Sequence, residues 1–115
     1  MPLVVDERNN LATVMAGRVG FISLHTADPG TTGANEVTGS GYARMPVVWG
    51  AAASGIVVGA EITFNVPAGS FTHYGLHASS SGSSGFRGGF NLSATATVSP
   101  AGTLKVTPSI NLVTA

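Results

Sequence analysis

The chain has 115 residues, enough for one domain that buries about 65% of its unfolded surface in a single core. Only 9% of residues are charged, five basic against five acidic, and the basic ones are scattered, so no footprint for nucleic acid or an anionic membrane is present. There is no cysteine, which removes disulfides and thiolate chemistry, and the N-terminus carries neither a basic run nor an apolar stretch of the signal type.

In chain order, Leu11, Val14 and Met15 stand at i, i+3, i+4 and predict a short helix, with Asp6 or Asn10 as its cap and Gly17 ending it in the C′ position. Arg18 to His25 reads as a strand, with Gly20, Ile22 and Leu24 on one face and Val19, Phe21, Ser23 and His25 on the other; both faces are partly apolar, which predicts a central strand. Thr26 to Gly41 then runs sixteen residues with only Ala27, Ala34 and Val37 apolar. Loops longer than about 12 to 15 residues are uncommon in compact domains and tend to be functional or disordered. Asp28-Pro29-Gly30 predicts an ordered turn at one end, because Asp caps, Pro presets φ and Gly accepts a positive φ.

Tyr42 to Trp49 is a second strand pattern, which Pro46 places at a sheet edge or bulge. Ile56 to Val58 predicts a short strand before a turn at Gly59. Glu61 to Val66 alternates, with Ile62, Phe64 and Val66 inward. After Pro67-Ala68-Gly69, the segment Ser70 to Ala78 puts Phe71, His73, Gly75 and His77 on one face and Thr72, Tyr74, Leu76 and Ala78 on the other. Ser79 to Gly85 is a low-complexity loop, and Gly88-Gly89 marks a hairpin turn or a bulge. Alternation continues from Leu92 to Val98, and Pro100-Ala101-Gly102 repeats the earlier turn word, so the two are read as similar hairpins. The fold class expected is all-β: a single-domain antiparallel sandwich or jelly roll of about eight short strands with a short N-terminal helix. Residues 1–17 form an N-terminal arm and helix, and 18–115 the β-sandwich domain.

Little in the chain supports catalysis. His73 and His77 are four apart on a strand, roughly 13 Å at about 3.3 Å per residue, and cannot hold one ion; hydrogen-bonding histidines on a half-buried or inter-subunit face are the plainer reading of His25, His73 and His77. Asp28, Asn35 and Glu36 lack the spacing of a calcium loop, and no nucleophile elbow is present. The expectation is therefore no enzyme, no catalytic residue, no metal and no cofactor. Trp49, Tyr42 and Tyr74 suggest a sugar-stacking platform, but Trp49 sits in the apolar run VVWGAAA, which favours packing. Contact-making is left as the explanation of the long loop. Asn35, Glu36, Tyr42 and Arg44, with Leu3, Val4 and Val5 of the arm, are the candidate partner contacts.

The words HTADPG and TGANEVTGSGYAR, then Phe64 to Gly69 as FNVPAG and Thr72 to Leu76 as THYGL, resemble the small all-β virion proteins of long-tailed double-stranded-DNA phages, grouped as tail fibre or minor structural proteins. The likeness covers about Asn9 to Val98, and departs from that pattern at His77, where an aromatic is common. It implies a non-enzymatic component of the virion, made in the host cytoplasm and assembled into the particle. Because 115 residues hold no long repetitive shaft, the expected role is a capsid decoration or minor capsid protein, bound as a trimer to the major capsid protein and to copies of itself. The alternative is a tail-fibre or tail-associated module contacting host surface glycans; neither reading calls for nucleic acid or membrane.

Overall fold

A computed structural model describes residues 4–82 and 85–111. Leu3 therefore lies outside the described residues. Among the described residues the helix α1 (Val5–Gly17) is followed by eight strands: β1 (Phe21–His25), β2 (Met45–Pro46), β3 (Ile56–Val58), β4 (Ile62–Val66), β5 (Gly69–His77), β6 (Phe86–Val98), β7 (Gly102–Val106) and β8 (Ser109–Asn111). All pairings are antiparallel. They form one four-stranded sheet in the order β2-β1-β5-β6 and two ladders, β3-β8 and β4-β7. The all-β antiparallel fold with a short N-terminal helix is thus as expected.

The strands form where the sequence alternates. Along β4 the buried residues are Ile62, Phe64 and Val66, with Thr63 and Asn65 exposed. They join Ile22 and Leu24 of β1, Tyr74 and Leu76 of β5, Val57, Val106 and Ile110 in one apolar cluster. Tyr74 adds a polar tie, its hydroxyl donating to Ser109 O at 2.8 Å and accepting from Ser109 N at 3.1 Å, which fixes the start of β8. β1 is central and buried on both faces, and Pro46 lies in the edge strand β2, both as predicted. The segment Tyr42 to Trp49 contributes only Met45–Pro46 as a strand.

Four expectations are corrected. First, α1 starts after Val4 with no side-chain cap; Asp6 stands in the first turn and Asn10 inside the helix. Gly17 is the last helical residue, and Arg18 follows in the right-handed region (φ −95°), so no left-handed C′ glycine is used. Second, the buried helical residues are Ala12 and Ala16, whereas Leu11 and Val14 are exposed. The helix lies against β3 and β8, and small side chains allow a close approach there. Third, neither Pro-Ala-Gly turn closes a hairpin: each joins strands that belong to different sheets, β4 to β5 and β6 to β7. Fourth, β5 does not keep one register along its length: Phe71 pairs with Ala96 but His73 with Asn91, which leaves the extra residues on β6, and Phe71 is buried in the apolar cluster while His73 is half-buried. At Gly88 the bulge alternative holds: Leu76 pairs with Gly88 and His77 with Phe86, leaving Arg87 as the extra residue.

The placement of α1 yields a test. Ala12→Leu should destabilise the fold by about 1–3 kcal/mol through overpacking, while Leu11→Ala should stay within about 0.5 kcal/mol of the parent. Urea denaturation of the two variants reads the difference, and the opposite order would mean that Leu11 faces the core.

Candidate contact surface

The long loop owes its shape to the outer edge of β1. Strand β2 pairs with β1 only at Phe21 and Ile22. Beyond that point loop residues take the place of a strand: Val37 N donates to Leu24 O (3.0 Å), Leu24 N donates to Tyr42 Oη (2.9 Å) and Thr26 N donates to Asn35 O (3.0 Å). Unpaired backbone groups inside a protein cost free energy comparable to a lost hydrogen bond, so these contacts set the path of the loop. The turns within it are local. Asp28 Oδ1 accepts from Gly30 N at 2.8 Å, Pro29 O accepts from Gly33 N and Ala34 N, and Gly30 has the positive φ (61°) that the Asp-Pro-Gly turn predicted. Pro29 then rests on β6, where a Cβ at Gly89 would stand 2.5 Å from Pro29 Cγ.

Under the loop lies a buried polar cluster that no sequence motif announces. Ser23 pairs across the strands with Gly75, with His25 and His77 at the flanking positions of the same face. Ser23 Oγ is 2.7 Å from His25 Nε2 and 2.9 Å from His77 Nε2, and all three side chains are fully buried. The two imidazoles lie parallel, centroids 6.4 Å apart, and Phe86 packs its edge against His77. A Cβ at position 75 would collide with Ser23 Oγ and stand 2.7 Å from His25 Nε2, so glycine is the residue that fits.

The hydrogen bonds assign the protons. His25 Nδ1 is 2.7 Å from Ala34 O, which can only accept, so Nδ1 carries the proton and Nε2 accepts from the Ser23 hydroxyl. Ser23 Oγ then accepts from His77 Nε2, leaving His77 Nδ1 as a buried acceptor without a partner. Both rings are neutral. Burial pushes the His77 pKa down to about 4, with the nearby Arg44 charge acting in the same direction, and burial also lowers that of His25.

A second tie closes the loop's far end. Arg44 grips Glu36 bidentately, Nε to Oε2 and Nη2 to Oε1, each at 2.9 Å, and its Nη1 donates to Ser79 O at 3.2 Å. Tyr42 Oη donates to Glu36 Oε2 at 2.8 Å while accepting from Leu24 N, and its ring stacks on Phe64. Burial pushes the Glu36 carboxyl up, but the hydrogen bonds from Arg44 and Tyr42 outweigh it and hold the group below its ordinary value. Burial raises the Tyr42 phenol, and the adjacent Glu36 carboxylate adds to the rise. The Arg44 side chain is only 7% exposed, so this pair is largely out of water and losing one partner would be costly.

Of the sequence-derived contact candidates, Glu36, Tyr42 and Arg44 come together, and they bind one another. Asn35, at φ 64°, donates its amide to Asp28 O. Asp28, Asn35 and Glu36 therefore each have a partner of their own within the loop. Val4 and Val5 stand exposed at the start of α1, away from this group in the chain. The outward side of Glu36, Tyr42 and Arg44 lines a groove of about 400 Å³ with Thr38, Gly39 and Ser80 to Gly82. Trp49 is half-buried with Nε1 donating to Val19 O at 3.0 Å, and Tyr74 packs on Phe90, so the three aromatics of the sugar-platform reading each have internal partners.

Residues 8–111 match the family model described as Podophage GP4 fiber I protein gp80. The chain belongs to this family. It is thus a phage virion structural protein of the fibre type. Comparison with curated proteins finds no match.

Two measurements test the site. The unfolded state takes up a proton on His77 below its ordinary pKa of 6.5, whereas the folded state resists protonation down to about 4. Stability is therefore full above pH 6.5 and falls as the pH drops toward 4. Urea midpoints should be lower at pH 5 than at pH 7.5, and the gap should shrink in His77→Gln. Separately, Tyr42→Phe should cost about 1–3 kcal/mol, because Leu24 N and Glu36 both lose a buried partner; a change near zero would show that water replaces the hydroxyl freely.

Proposed function

We propose that the chain is a non-enzymatic module of a phage fibre, held by copies of itself and by neighbouring fibre protein, and that its loop groove is a contact surface for host glycans. The family match over residues 8–111 carries this reading. It supports the tail-fibre alternative over the capsid-decoration role expected from chain length. The architecture agrees with a structural part: a polar surface with few charges suits repeated packing through backbone and hydroxyl groups. The groove beside the Glu36–Arg44 pair is lined by Thr38, Ser80 and Ser81, whose hydroxyls donate and accept and so suit sugar hydroxyls.

Gold-labelled antibody against this chain, imaged by electron microscopy on intact particles, should mark the tail fibres. Label on the heads with none at the tail would overturn the fibre reading in favour of a shell protein bound to the major capsid protein. Particles lacking the gene should have intact heads and fail to adsorb.

A further inference from the structure

Of the three residues whose periodicity predicted the helix, Met15 packs against the core, but Leu11 and Val14 point away from it. Val4, Leu11 and Val14 are 67%, 47% and 62% exposed. At 100° per residue, positions 7, 11 and 14 of the helix fall within an arc of about 60° that Arg18, still in the right-handed region, continues, while Ala12 and Ala16 are turned toward β3 and β8. A contiguous apolar stripe in water marks an interaction site more often than scattered apolar residues do. Its two ends are charged. Glu7 precedes Leu11 and Arg18 follows Val14; both are exposed, and neither is ion-paired among the described residues, where Glu36–Arg44 is the salt bridge found.

The order acid, apolar, apolar, base is self-complementary about a point between residues 12 and 13. Turning a second copy by a twofold axis through that point sets Leu11 against the partner's Val14 and Glu7 against the partner's Arg18. Both contacts occur twice, as an isologous interface requires. A parallel arrangement would instead put like charges side by side. We propose that α1 is a self-association face through which two copies of the chain pair their helices antiparallel, with the Leu11–Val14 contacts at the centre and Glu7–Arg18 pairs at each end. A helix of thirteen residues is about 20 Å long, and a pair of them buries less than the roughly 800 Å² per partner of a standard interface. The dimer is therefore weak and concentration-dependent, suited to contacts that multiply along an assembly. This inference does not depend on where in the particle the chain sits.

Sedimentation equilibrium of the full chain over a wide concentration range provides the test. The parent chain should show a monomer–dimer equilibrium. Leu11→Lys should leave monomer only, and Glu7→Lys and Arg18→Glu should each raise Kd by roughly tenfold or more, with far-UV circular dichroism unchanged because both side chains are exposed. Mixing the two charge variants should restore association, since each helix of the mixed pair then meets the opposite charge at both ends. Three results would overturn the proposal: a parent chain that stays monomeric, a trimer indifferent to these substitutions, or charge variants that do not rescue one another on mixing.

Discussion

The structure depends on how the outer edge of β1 is covered. This strand lies in the middle of the domain, its backbone groups are removed from water on both faces, and its neighbour on one side is two residues long. From Leu24 onward something other than a strand must accept and donate along that edge. The loop does so with the backbone of Asn35 and Val37 and with one phenol hydroxyl, that of Tyr42. Ordering a loop of this length costs on the order of 1–2 kcal/mol per residue. The Asp28 turn, the Pro29 contact on β6 and the Glu36–Arg44 clamp supply the interactions that offset it.

Covering an edge has a consequence for the face beneath. Ser23, His25, Gly75 and His77 form a polar layer that would be wet in an open sheet, and the loop makes it dry. Dry polar groups must be paired, which accounts for the chain of hydrogen bonds from Ala34 O through His25, Ser23 and His77. The chain ends on an unpartnered Nδ1, and that lone acceptor, together with burial, makes the cluster intolerant of protons. Gly75 belongs to the same layer, because its missing side chain makes room for both imidazoles and the serine hydroxyl to meet.

The two sides of the molecule serve different ends. The loop residues that look outward in the sequence are committed inward by their charges, so the surface they offer is the rim of a groove and not free side chains. The helix does the reverse: Leu11 and Val14 are left in water while Ala12 and Ala16 approach the sheet. In this member of a fibre-type virion family, a sparsely charged β body therefore carries a polar groove at the loop and exposed apolar side chains on the helix.

The strand pattern was legible from residues alone wherever one face is apolar and the other polar: Ile62, Phe64 and Val66 alternate, Pro46 requires an edge, and Asp28-Pro29-Gly30 folds on its own chemistry. Other features are properties of neighbours distant in the chain. Which face of α1 is buried depended on the closeness of β3 and β8, which periodicity does not encode. The register shift of β6 opposite Thr72 belongs to the pairing of two strands and not to the pattern of either. The destination of the two Pro-Ala-Gly turns was set by which sheet the next strand could join. His73 and His77 could be judged unable to hold one ion from their spacing on a strand, yet the meeting of His25 with His77 over Gly75 required the pairing of two strands about fifty residues apart. Local chemistry determined the turns, the strands and the sparse charge; the partners of Glu36, Arg44 and the histidines were decided by tertiary structure, because a buried polar group takes its partner from whatever the fold brings within about 3 Å.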